Sequence, residues 1–245
     1  MAETTPRIVI WHDVECGGYR EDLTLWRELA AEAGGPVLDV GAGTGRVTLP
    51  LALAGVEVVA LDLEPELLEA LAARAVRQGL SVETIAADAR SFDVGEARFA
   101  LVIVPMQTLQ LLPDAAARAE FFAAARRALK PGGLVAIALA DALDSFDGET
   151  DGLPDPDVMT VEGRRYVSLP LAVVDEGEHA AIHRLRQVMG VIAADEEEHD
   201  VIRLARVDAM TLAAEAEALG FEGHELRRIP ATDVYVGSTV VVLRG

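Results

Sequence analysis

The chain reads as an α/β protein built on a doubly wound, mostly parallel sheet, and three observations carry that reading. Apolar runs at Pro36–Val40, Val56–Leu61, Val82–Ala86, Ala100–Val104 and Leu134–Leu139 are separated by Ala-, Leu- and Arg-rich stretches of helical character. These runs are apolar throughout rather than alternating, as strands covered on both faces are. The first run leads straight into Gly41-Ala42-Gly43-Thr44-Gly45-Arg46, with a glycine at every second position. Such a turn removes the Cβ atoms that would hold a ligand off the backbone and permits φ > 0.

The remaining elements follow in order. Leu23, Trp26, Ala30 and Ala33 recur at helical spacing ahead of the loop, and Gly34-Gly35-Pro36 stops that helix. Pro50 falls where the helix after the loop should be running, and an interior proline costs about 3 kcal/mol. Either that helix starts late, with Pro50 in its first turn, or it is kinked. Past Asp141 a loop, SFDGETDGLPDPD, leads to three extended segments, Arg164–Val174, Ala180–Val191 and Val201–Val207, that suit an antiparallel sheet. A helix over Asp208–Leu219 ends at Gly220, and strands at Gly223–Ile229 and Tyr235–Leu243 rejoin the main sheet. The expected organisation is one domain over 1–245, with an N-terminal helical cap at 1–35 and an inserted antiparallel sheet at 142–207.

Composition narrows the partners. Of 245 residues, 51% are hydrophobic, enough for a full core, and 41 acidic against 21 basic side chains leave a formal net charge of -20. Phosphate binding relies on Lys and Arg, so nucleic acid and anionic membrane are disfavoured partners. Cys16 is the sole cysteine, which excludes an intrachain disulfide and makes a reducing cytoplasm the default. MAETTPRIVIWHDVE lacks a basic leader, and no run approaches the roughly 18 apolar residues of a membrane span, so the expectation is a soluble, unprocessed protein.

The chemistry centres on carboxylates around the glycine loop. The second strand ends in Asp62, 21 positions beyond Gly41 (62 − 41), where a ribose-binding acid belongs. A dinucleotide and S-adenosylmethionine both satisfy that spacing. A dinucleotide loop reads G-x-G-x-x-G/A, with a small residue where this chain has Arg46. Asp39, two residues before the first glycine, adds negative charge that suits a cationic ligand better than a diphosphate.

With LDVGAGTGR, VVALDLEPELL, IAADARSF, FALVIVPMQTLQLL and ALKPGGLVAIAL in that order, the chain resembles the class I S-adenosylmethionine-dependent methyltransferases over essentially its whole length. The resemblance implies a Rossmann-like, doubly wound seven-stranded sheet, mostly parallel with the last strand antiparallel, and a small antiparallel insertion after the fifth strand. It implies that Gly41, Gly43 and Gly45 line the methionine and ribose of the cofactor, that Asp62 holds the ribose diol, and that Leu63 lies near the adenine. Asp88 would accept from the adenine amino group beside Ala89, and Pro105 with Met106 would form the floor below the methyl group. The inserted segments are similar to those of small-molecule methyltransferases such as the sugar N-methyltransferases, in which they roof the site or mediate oligomerisation. A small-molecule methyl acceptor and homo-oligomerisation through that sheet are therefore the expected associations.

Departures bear on the reaction. Pro105-Met106-Gln107-Thr108 lacks the Asn-Pro-Pro-Tyr type motif of many DNA and amide methyltransferases, and no acid stands at Pro105 or Met106 to begin a catechol-type metal site. Leu109-Gln110-Leu111-Leu112 carries no histidine where several relatives have one. The catalytic candidates are Tyr19, in a stretch that looks like the family's mobile cap, with Gln107 and His12. The acidic run Asp195–Asp200 reads as a solvated turn between strands and not as a metal site, and no metal is required. Trp11 and Trp26 read as core anchors. The reading is a methyltransferase acting on nitrogen or oxygen of a small molecule; an NAD-dependent oxidoreductase and a non-catalytic S-adenosylmethionine-binding protein are the alternatives.

Overall fold

The computed structural model describes residues 5–140, 143–190 and 195–245. In chain order the elements are α1 (Arg7–Cys16), α2 (Leu23–Ala33), β1 (Val37–Val40), α3 (Thr48–Leu53), β2 (Val58–Asp62), α4 (Pro65–Arg77), β3 (Glu83–Ala86), β4 (Phe99–Val104), α5 (Ala115–Ala128) and β5 (Leu129–Ala140). There follow β6 (Phe146–Asp147), α6 (Gly148–Asp151), β7 (Asp157–Val161), β8 (Arg164–Asp175), β9 (His179–Met189), β10 (Glu196–Ala205), α7 (Ala209–Ala218), β11 (Glu222–Ile229) and β12 (Ser238–Arg244). The chain divides into two compact units, one of Met1–Gly18 with Ala142–Arg206 and one of Tyr19–Asp141 with Val207–Gly245.

The larger unit holds a seven-stranded sheet in the order β11-β12-β5-β4-β1-β2-β3. All pairings are parallel except those of β12, which runs antiparallel to both β5 and β11. Alternate residues of each strand feed opposite layers. Leu38, Val40, Val102, Val104 and Ile137 pack with Phe121 and Phe122 of α5 and Leu212 of α7. Val37, Leu101, Ile103 and Ala136 pack on the other face with Trp26 and Leu29 of α2 and Leu51 of α3. Two-sided burial is why the central strands β1, β2 and β4 carry no polar alternation.

Local signals set the helix ends. Gly34 adopts a left-handed φ of 63° and donates to the Ala30 carbonyl, closing α2. Pro65 opens α4 as its first residue, with Glu66 in the first turn and Arg74 and Arg77 in the last, each complementing the helix dipole. The side chain of Asp114 caps α5 by accepting from the Ala117 N–H. Pro50 is the third residue of α3, which begins only at Thr48. The late start, not a kink, accommodates it, since the first-turn N–H groups have no intrahelical acceptor to lose.

The smaller unit is an antiparallel sheet in the order β10-β9-β8-β6, with β7 also on β8. Ile10, Trp11 and Val14 of α1 pack on Tyr166 and Val188, with the Trp11 and Tyr166 rings edge to face at 5.4 Å. Under α1, the Glu15 carboxylate accepts from Arg186 at 2.7 and 2.8 Å and from Ser168 at 2.8 Å. Three local expectations are corrected. The Asp/Gly/Pro-rich segment contains β6, α6 and, just beyond, β7, because β8 extends far enough to pair with both strands. The acidic run is not a turn: Glu196–Asp200 belong to β10, paired along β9. Charge repulsion along it is relieved by Arg7 and Arg164 on Glu196, Arg7 on Glu198 and Arg186 on Asp200. The third is a shift: strand β12 starts at Ser238 rather than near Tyr235. The expected strand end at Val191 and insertion start at 142 lie outside the described residues.

Candidate active site

The glycine loop sits at the carboxyl end of β1, between β4 and β2, where the sheet order reverses direction. Open α/β sheets bind ligands at that crevice. Gly41, Gly43 and Gly45 have φ of 74°, 54° and 94°, a region that side chains disfavour. Gly41 and Ala42 N–H both donate to the Leu61 carbonyl, at 2.8 and 3.0 Å, which lays the loop against β2. A Cβ on Gly41 would sit 2.4 Å from Thr108 Cγ2, so the turn after β4 closes directly onto the turn after β1. One on Gly45 would come within 2.9 Å of both Leu49 and Leu71.

The carboxylates differ in environment. Asp39 on β1 is 1% exposed; its Oδ2 accepts from Thr48 Oγ1 at 2.6 Å and its Oδ1 is buried without a partner. Burial pushes its pKa from 3.8 to about 6, with the Thr48 hydroxyl and Arg46 opposing and Asp62 and Asp22 reinforcing. Asp62 ends β2; its Oδ2 takes the Gly43 N–H at 2.7 Å and its Oδ1 the Glu64 N–H at 3.0 Å. A carboxylate has about four lone-pair sites, so acceptor capacity remains. Leu63 next to it is 62% exposed. Asp88 is held by Arg90, with Nη2 at 2.5 Å and the backbone N–H at 2.8 Å, and that pairing lowers its pKa to about 2. Ala89 is partly buried against the core.

After β4, buried Pro105 is followed by Met106 at a φ of 54°, uncommon outside glycine. Backbone strain of this kind collects where a turn is over-determined by its surroundings. Thr108 Oγ1 donates to the Pro105 carbonyl at 2.9 Å, and Gln107 immediately precedes the short turn Thr108–Leu111 without a side-chain cap. Gln110, 1% exposed, accepts through Oε1 from the Ala140 N–H at the end of β5.

Of the three catalytic candidates, Tyr19 and Gln107 lie in the unit that carries the loop, whereas His12 is on α1 in the other. Tyr19 is buried and meets the Tyr235 ring edge to face at 5.0 Å. Burial and Asp22 push its pKa up to about 12 against Arg46 and the Ser238 hydroxyl, so it is not a base at neutral pH. Sequence reasoning missed a buried cluster beside the loop. Arg46 donates from both terminal nitrogens to Asp22, at 2.6 and 2.7 Å, and Asp22 also accepts from Trp26 Nε1 at 2.8 Å. Its only trace in the sequence is Arg46 itself, standing where a dinucleotide loop needs a small residue. Thr48 and Thr108 gave no signal, because their partners are brought to them only by the fold. Among the described residues, no group of three or more His, Cys, Asp or Glu could hold a metal, and no helix is long and apolar enough to cross a membrane.

Known proteins share this architecture. Residues 37–133 match the family described as Methyltransferase domain. An uncharacterized protein of Mycobacterium tuberculosis is 38% identical over 113 residues, 44% of this chain, and the match spans only 40% of that relative's length. CalS10, an amino pentose methyltransferase of Micromonospora echinaspora solved with S-adenosylmethionine bound, matches at a TM-score of 0.70 and 21% identity, over 100% of this chain and 99% of that one. The sugar N-methyltransferase KedS8 of a Streptoalloteichus species matches at a TM-score of 0.70 and 22% identity, over 99% and 94% of the two chains. Residues 37–133 are thus a methyltransferase domain, in a chain with the Rossmann-like fold of class I S-adenosylmethionine-dependent methyltransferases.

Proposed function

We propose that the protein is an S-adenosylmethionine-dependent methyltransferase acting on a nitrogen or oxygen of a small molecule. The observation that carries this reading is Asp39, a buried carboxylate beside the glycine loop with one oxygen unpartnered. An uncompensated buried carboxylate attracts a cation and repels a pyrophosphate, and S-adenosylmethionine carries a sulfonium and an ammonium with no phosphate. The Gly43 N–H, which a dinucleotide would require for its phosphates, is already given to Asp62. On this reading Gly41, Gly43 and Gly45 admit the methionine and ribose, Asp62 accepts from the ribose diol, and Leu63 with Ala89 contacts the adenine. Asp88 would receive the adenine amino group on the side away from Arg90, and Pro105 and Met106 would floor the methyl end.

S-adenosylmethionine supplies a methyl carbon already activated by the sulfonium, so the chain's task is alignment, which contributes up to about 7–11 kcal/mol in well-oriented reactions. The rigid turn after β4, pinned by Thr108 and packed on Gly41, suits that task. Neither catalytic candidate of the larger unit is a general base: Tyr19 stays protonated and Gln107 does not titrate. That favours a neutral amine acceptor, which needs little base assistance, over a hydroxyl. The excess of acid in the chain points the same way, as it attracts cationic amines. The sugar N-methyltransferase and amino pentose methyltransferase that share the fold act, by their names, on such compounds.

Calorimetric titration with S-adenosylmethionine, S-adenosylhomocysteine and NAD in parallel tests the assignment. Micromolar binding of the two sulfur compounds and none of NAD supports it; binding of NAD alone overturns it. Turnover with a panel of amines and hydroxy compounds then tests the acceptor class, and hydroxyl-only activity would refute the preference for amines.

A further inference from the structure

The three alternating glycines make the loop costly to order, since glycine loses more conformational freedom on ordering than any other residue. A loop of this kind binds tightly only if something outside it holds its shape beforehand. The start of the loop is tied to Leu61 and Asp62 of β2; at its end the outside tie is Arg46, the residue immediately after Gly45. Its guanidinium engages both oxygens of Asp22, at 2.6 and 2.7 Å, with side chains 6% and 1% exposed. It donates as well to the Tyr19 carbonyl at 3.2 Å and lies 5.0 Å over the Tyr19 ring. Asp22 is in turn fixed by Trp26 Nε1 at 2.8 Å, and Trp26 is fully buried under the sheet. A continuous chain of contacts therefore runs from the core, through Asp22 and Arg46, to the end of the glycine loop, and the segment Tyr19–Asp22 is gripped on the way.

We propose that Arg46 is a positioning residue, a clasp that fixes the Tyr19–Asp22 segment and the glycine loop against each other so that the loop meets its ligand already ordered. It touches neither cofactor nor acceptor. The geometry explains why an arginine, and not a lysine, stands after the third glycine: two parallel bonds to one carboxylate, a third to a carbonyl and a stacked ring use the planar fork that an ammonium lacks. The clasp rests on the proposed cofactor reading for its functional consequence, but not for its structural one.

The experiment compares the wild type with Arg46→Lys and with the double variant Arg46→Met/Asp22→Leu, in two measurements. The first is the rate of tryptic cleavage after Arg20, which is exposed in the gripped segment, in protein free of any ligand and normalised to cleavage at other sites. The second is the calorimetric affinity for S-adenosylhomocysteine. The clasp predicts at least tenfold faster cleavage after Arg20 and at least tenfold weaker binding in Arg46→Lys, with a melting temperature close to wild type. Unchanged cleavage after Arg20, or unchanged affinity, overturns it. Should Arg46→Lys fail to fold, the double variant decides. It removes both charges together, which a fold tolerates far better than stranding one, and it should show the same two losses; wild-type behaviour in it overturns the clasp. If the wild type itself binds no S-adenosylhomocysteine, the cofactor reading fails, and cleavage after Arg20 still judges the clasp by itself.

Discussion

Asp39→Asn removes one charge and keeps the oxygen that accepts from Thr48. In the folded chain burial raises the Asp39 pKa from 3.8 to about 6. Each tenfold change in proton affinity is about 1.4 kcal/mol, so above pH 6 the ionised carboxylate costs the unliganded fold about 3 kcal/mol. The sign is the reverse of the usual carboxylate. Because the folded pKa lies above the unfolded one, the native state binds more protons, and stability falls as pH rises from about 4 to about 6. The amide is free of that linkage. Its buried N–H₂ takes the place of an oxygen that has no partner and costs about 1–2 kcal/mol at every pH, so the decisive quantity is the change in the variant's advantage with pH. That advantage should be about 1.4 kcal/mol greater at pH 8 than at pH 5, or roughly 3–6 °C in melting temperature for a chain of this size. The assay is thermal unfolding of both proteins, without ligand, from pH 5 to pH 8. A difference in melting temperature that does not vary with pH would refute the argument that Asp39 is ionised against its burial. The same substitution should weaken S-adenosylmethionine binding by roughly tenfold or more, the scale of a hydrogen bond to a charged group. Stability and affinity would then move in opposite directions, as at sites where strain serves function.

Asp62→Ala should weaken cofactor binding by roughly 2 kcal/mol, near thirtyfold, and an unchanged dissociation constant removes Asp62 from the site. Gly41→Ala meets both a φ of 74° and Thr108 Cγ2 at 2.4 Å; it should destabilise by about 2–4 kcal/mol, and Thr108→Ala added to it should recover part of the loss in a denaturation series. Glu15→Ala removes the two-bond partner of Arg186 and leaves it Asp200; it should cost about 2 kcal/mol, the scale of hydrogen bonds to charged groups. Arg186 and Ser168 hold the Glu15 pKa below 4.5 against its burial, so the cost, read by denaturant titration, should be full above pH 4.5 and should shrink as pH falls below it.

The parallel sheet was legible because its central strands are buried on both faces, and continuous apolar runs are the pattern that burial favours. Leu101 through Val104 are each at most 1% exposed, and nothing polar interrupts them. The inserted sheet was legible in its long strands but not at its edges. Glu196–Asp200 looked like a turn because solvation is the default for a charge run, and pairing along β9, with Arg7, Arg164 and Arg186 on its carboxylates, makes a strand of it. Those arginines are distant in sequence, so no local window contains the neutralising partner. Strand β7 was hidden for a related reason: Asp157–Val161 alternates weakly, and its pairing with Arg164–Ser168 defines it.

The site divides along the same line. Gly41, Gly43, Gly45 and Asp62 announce themselves because their roles depend on backbone conformation and fixed spacing, which a linear chain records. The buried pair of Asp22 and Arg46 does not, since neither residue has a local reason to be where it is. Arg46 was informative in the sequence only as an exclusion, the wrong residue for a dinucleotide loop. The fold supplies its positive role: a guanidinium whose charge is already paired with Asp22 and which bonds the Tyr19 carbonyl is poorly placed to serve a diphosphate, while the carboxylate it leaves unneutralised nearby is Asp39. The loop's preference for a cation therefore follows from which of two buried acids received the arginine.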